Sequence, residues 1–227
     1  MPETLLIEKS EFFKAACRNE WKEASSRIIK IPEADVAAFK AYLHWIYKKE
    51  VSVSSQHALS GHAYNVAVAR PVLCDLVHLW LLADRLADSQ LRNLTSNAML
   101  RVLSRIPLHG QDWTEAITPE MTVLVWSKIT ARRALRSLII DLYAQCVEEE
   151  HLDRVRDQLH PDFVKDLLME VFRMKGRKAD IPYLRRDACW YHEHEHYLDS
   201  GCERSLFLTG LREGHEDLTW PDGEERP

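Results

Sequence analysis

The sequence predicts a mostly α protein with a small β component, an α+β arrangement built around a helical cluster. Three observations carry that expectation. Glycine is scarce, 7 of 227 residues or about 3% against a usual ~7%, which disfavours turn-dense sandwiches and Gly-rich nucleotide loops. Apolar residues recur at helical steps along most of the chain. Strand-type patterns are confined to two short segments. The length of 227 residues, at about 150 per domain, suggests one domain plus an extension, enough to bury its own core.

Taken in order, the first clear helix follows Asp35, where Val36, Phe39, Leu43 and Ile46 fall on one face and Tyr42 and Tyr47 widen it. Pro71 opens a second run with Leu76, Leu79, Ala83 and Leu86, since proline has no N–H to lose in a first helical turn. A third run, Leu91, Leu94, Ala98 and Val102, stops before Pro107. Thr118-Pro119-Glu120 reads as a cap, a first-turn proline and an acid that suits the helix dipole. Leu135, Leu138, Ile139, Leu142, Tyr143 and Cys146 form the cleanest amphipathic stripe. Pro161 opens the last helix, with Phe163, Leu167, Val171 on one row and Val164, Leu168, Phe172 on the next. Such stripes are read as core packing ahead of partner grooves.

The strand candidates are Arg27–Pro32 and Val51–Val53. A lone strand leaves its backbone groups unpaired, so either these two pair across the intervening helix or strands that should precede residue 1 are absent. Residues 54–70 read as a polar connection, and from about Lys175 the periodicity gives way to a polar, His-rich segment. The expected organisation is therefore residues 1–106, a helical extension over 107–175, and a Cys/His-rich, partly disordered tail over 176–227.

Composition narrows the function. A net charge of −5 is a poor match to phosphate backbones, so no nucleic-acid role is expected; Lys128, Arg132, Arg133 and Arg136 form a local basic patch against that acidity. No apolar run approaching the ~18 residues of a bilayer span is read from the sequence, so no membrane partner is expected. Five scattered cysteines suit a reducing compartment, which places the chain inside the cell, in cytoplasm or nucleus. Cys17, Cys74 and Cys146 sit among apolar residues and read as buried, unreactive thiols. Glu148-Glu149-Glu150 reads as solvated charge, because adjacent residues do not face one another on a helix. The chain has no G-x-S-x-G elbow, no phosphate-binding P-loop and no G-x-G-x-x-G, so it is not expected to be an enzyme.

A set of pieces in the first half then falls into a familiar order: Leu6-x3-Ser10-x2-Phe13-x2-Ala16, Trp21-Lys22-Glu23, Ile28-x2-Ile31-Pro32-Glu33, and Phe39-x3-Leu43-x-Trp45-x-Tyr47 before Val51. Leu79-Trp80-Leu81-Leu82-Ala83-Asp84-Arg85-Leu86 and Leu91-x2-Leu94 follow. Over about residues 5–106 this resembles the BTB/POZ domain, and with the helical extension and tail it is similar to the fungal type of BTB/POZ protein. The family carries a β-hairpin and a Val-His step ahead of the first of these helices. Counting back from Ser10, those residues would fall at or before Met1, so the chain is expected to lack the first two strands. The resemblance implies a BTB/POZ-like helical cluster with few short strands, a protein–protein interaction role, and self-association of the BTB type.

It also points to two sites. Trp21 and Glu23 sit where BTB adaptors that recruit a cullin-RING ubiquitin ligase scaffold carry a hydrophobic-x-Glu step, an apolar anchor beside one charge that sets register. The plain alternative is that Trp21 packs on the core and Glu23 is solvated. Further on, Cys189, His192, His194, His196 and Cys202 supply thiolate and imidazole, the donors that suit one structural zinc. A closed site would take both cysteines and two histidines; the alternative is a polar tail that picks up metal adventitiously.

Overall fold

A computed structural model describes residues 3–17, 28–54, 65–106, 115–130, 134–175 and 191–192. The principal α-helices there are α1 (Glu3–Lys9), α2 (Glu11–Ala16), α3 (Val36–Lys48), α4 (Val66–Arg85), α5 (Ser89–Ser104), α6 (Pro119–Lys128), α7 (Ala134–Cys146), α8 (Glu149–Val155) and α9 (Pro161–Lys175). The protein is mostly helical over these residues, as the periodicity implied.

The small β component is not found among the described residues. Residues 28–31 and 51–53 are irregular, and a β-rich sequence without a partner strand has nowhere to send its backbone hydrogen bonds. The 28–35 segment is fixed instead by side chains. Arg85 donates to the Pro32 carbonyl, and Lys128 Nζ lies 2.6 Å from Glu33 Oε2.

Helix α4 is the axis of the first half, packed between α3 and α5 and touching α6. It is long and apolar enough to cross a membrane by length and composition, which the sequence reading did not anticipate. Here it is a core helix: Leu73, Val77, Leu79, Trp80 and Ala83 are fully buried in it. It starts at Val66, where Asn65 Oδ1 accepts from the Ala67 N–H. Pro71 therefore stands inside the helix and does not open it.

The turn between α4 and α5 holds the fold together. Leu86, Ala87 and Asp88 send their N–H groups back to Leu82, Asp84 and Ala83, with Ala87 left-handed at φ 53°; this is the Schellman pattern, here without the usual glycine. Asp88 then caps α5, its Oδ1 accepting from the Leu91 N–H at 2.8 Å. Ser10, the cap of α2, donates from its hydroxyl to the Leu86 carbonyl at 2.6 Å. Three helix termini are thereby joined at one buried point.

The face of α3 differs from its stripe. Ala38, Ala41, Tyr42, Trp45 and Ile46 are buried, while Val36 is 69% exposed and Phe39 and Leu43 are only partly covered. Small alanines let α3 approach α4 closely, and the larger residues at 36, 39 and 43 lie toward the rim.

In the second half, α7 is buried nearly all round, and α6 and α9 pack against it. Phe163 of α9 meets Trp126 edge-on at 4.8 Å and Tyr143 at 5.0 Å. Tyr143 donates to the Ile117 carbonyl at 2.8 Å, and Trp126 Nε1 to Asp166 at 3.0 Å. Aromatic edges with satisfied polar tips make a specific joint, not a greasy one. Buried side chains from Leu6 to Tyr191 form one connected core.

Candidate interaction site and Cys/His segment

Residues 18–27, which carry Trp21 and Glu23, lie between two described ends. On one side Ser10 fixes the start of α2 and Phe13 and Ala16 bury its inner face; burial and nearby Glu3 push the Cys17 thiol pKa up. On the other side Ile28 emerges 63% exposed. Trp21 and Glu23 lie between these ends, outside the described residues.

Beyond Ile28, Glu33 stands in the left-handed region at φ 57°, and its bond to Lys128 holds its carboxyl below the usual range. Lys128 is thus engaged with Glu33. Arg136 is buried, stacked at 4.8 Å on Trp126 and bonded to the Trp126 carbonyl; Arg132 and Arg133 fall outside the described residues. The sequence's basic patch loses at least these two members to internal contacts.

Of the Cys/His cluster, His192 alone is described, and Cys189, His194, His196 and Cys202 lie outside. His192 Nε2 is 2.7 Å from Asn97 Oδ1 on α5. Its neighbour Tyr191 is fully buried and donates to Asp141 on α7 at 3.1 Å. No group of three or more metal-binding side chains gathers among the described residues.

Tyr191 is the residue that sequence reasoning missed. An isolated tyrosine in a polar, His-rich stretch carries no period. A trace of it existed elsewhere: Asn97 and Asp141 are polar residues on otherwise buried helical faces, and buried polar groups require partners.

Cys74 is half-buried, and burial first, then Asp75, pushes its pKa up. Neither Cys17 nor Cys74 is therefore activated as a thiolate.

Residues 3–66 match the model of the BTB/POZ domain. The BTB/POZ domain is a protein–protein interaction module and not itself an enzyme. The matched residues take in α1, α2, α3 and the segment carrying Trp21 and Glu23, and end as α4 begins. Side-chain contacts tie the matched residues to the helices that follow them. Trp45 bonds Asp88, Asp84 pairs with Arg92 at 2.6 Å, and Leu86 presents its carbonyl to Ser10. Neither the comparison with curated proteins nor that with solved structures gives a match.

Proposed function

We propose that this chain is an intracellular adaptor that joins a protein substrate to a cullin-RING ubiquitin ligase, with residues 1–106 as the interaction domain and 107–175 as its helical extension. The observation that carries the reading is the BTB/POZ match over residues 3–66, which spans the Trp21-Lys22-Glu23 step. An indole and one carboxylate two residues apart supply the anchor and the register charge of a small interface hot spot. The family's self-association is the second partnership.

Titration calorimetry against the N-terminal region of a cullin scaffold tests it. Sub-micromolar binding that Glu23→Ala weakens by more than about tenfold is expected, as for loss of a hot-spot contact. A folded chain that shows no binding overturns the adaptor role and leaves the interaction module.

One observation favours a second reading, a single structural zinc held by Cys189, Cys202 and two of His192, His194 and His196. His192 directs Nε2 at the Asn97 amide oxygen. A side-chain amide bonded to one ring nitrogen is a common way for a metal-bound histidine to be oriented. One equivalent of zinc per chain, lost in Cys189→Ser, is the expected result; substoichiometric metal indifferent to that change removes the site.

A further inference from the structure

Tyr191 and His192 reach across the two halves of the chain. Helix α5 packs on α4 in the first half, whereas α7 packs on α6 and α9 in the second. Tyr191 is fully buried and donates to Asp141 of α7 at 3.1 Å. The next residue, His192, meets Asn97 of α5 at 2.7 Å. Consecutive Cα atoms are about 3.8 Å apart, so one dipeptide sets the spacing of two helices from different halves.

The polar residues that it meets stand where polar residues are costly. Thr95, Ser96 and Asn97 are all buried on α5. Thr95 bonds the Leu91 carbonyl and Ser96 the Arg92 carbonyl of the same helix, and Ser96 also accepts from Trp80. Asn97 turns to His192 instead. On α7, Asp141 is 1% exposed and stands between the fully buried Ile140 and Leu142. Buried polar groups need partners, and each half presents one to the dipeptide. Two further polar ties between the halves, Lys128 with Glu33 and Arg70 with the Glu115 carbonyl, are exposed, where such contacts hold weakly.

We infer that Tyr191-His192 is a clamp that locks the helical extension onto the first half of the chain. The hold of residues 107–175 on residues 1–106 then depends on a contact made well after α9 has ended. Contact of α4 with α6 persists without the clamp, so its release loosens the junction and does not part the halves. The inference stands apart from the cullin and zinc readings, because Tyr191, Asn97 and Asp141 belong to neither site.

Amide hydrogen exchange of the full chain, read at α3, α5 and α7, tests it. Tyr191→Ala is expected to speed exchange by about tenfold or more at both α5 and α7 and to leave α3 unchanged, as for a local opening. Tyr191→Phe keeps the ring and loses the bond to Asp141, so it should give a smaller acceleration at the same two helices. Asn97→Ala should lower the urea midpoint by itself and lower it no further in a Tyr191→Ala chain, because a released dipeptide no longer meets Asn97. Additive midpoint shifts would make the two bonds independent core contacts and overturn the clamp. Acceleration confined to α7, spread evenly over all three helices, or absent overturns it as well.

Discussion

The indole of Trp45 donates its Nε1 hydrogen to Oδ2 of Asp88 across 3.1 Å, joining the last turn of α3 to the first of α5. The same carboxylate caps α5 through Oδ1, and both residues are almost fully buried. Burial pushes the Asp88 carboxyl pKa up, and the Leu91 N–H and the indole pull against it. A buried carboxylate with both oxygens bonded is a joint, because losing either partner leaves a polar group with no water to replace it.

Asp88→Ala removes the cap and strands the indole N–H together. A loss of about 2–3 kcal/mol is expected from a urea melt, the sum of a helix cap and an orphaned buried donor. A loss under about 1 kcal/mol would show that water or another acceptor reaches Trp45.

The rotation of α3 separates two residues that its stripe places together. Ile46 is 1% exposed, so Ile46→Ala is expected to cost ~2–5 kcal/mol. Leu43 is only partly covered, so Leu43→Ala should cost about 1 kcal/mol. Equal losses in parallel denaturation curves would contradict the burial pattern.

His151 sets a pH dependence. It is almost fully buried, with Nδ1 3.1 Å from Arg154 Nη2 and no hydrogen-bond partner at Nε2. Burial first, and then the positive Arg154, lower its pKa below the ordinary 6.5, while Glu115 opposes them. The unfolded chain therefore takes up this proton at a higher pH than the folded one. Stability falls as pH drops through about 6.5 and stops falling below the folded pKa. Urea midpoints on either side of that window should show the drop, and His151→Gln should flatten it. An unchanged slope in that variant would assign the effect to other groups.

Tyr191 belongs to the core although its neighbours in sequence are polar. Tyr191→Ala should cost ~3–5 kcal/mol, as for other buried aromatics, and Tyr191→Phe about 1 kcal/mol for the bond to Asp141. A melt unaffected by Tyr191→Ala would mean that this contact contributes nothing to the folded state.

Helix identity was legible because periodicity is local. The runs around residues 36–46, 91–102, 135–146 and 161–172 all became helices, and Asp35 and Pro119 stand where end chemistry put them. Pro71 misled because proline at a first turn is a preference, and Asn65 supplied a better cap upstream. The strand candidates misled because β structure depends on a partner that no local pattern contains.

By itself, the sequence determined the helical class, most helix positions and the BTB/POZ match over residues 3–66. These follow from neighbours within a turn or two of each other. Only the tertiary structure decided which face of α3 turns inward, that Ser10, Trp45 and Asp88 converge on one turn, and that Tyr191 is core. It also decided that Val164, Leu168 and Met169 of α9 are exposed. Each of these depends on groups brought together from distant parts of the chain, where packing volume and the need to satisfy buried polar atoms choose among faces that local spacing leaves equivalent.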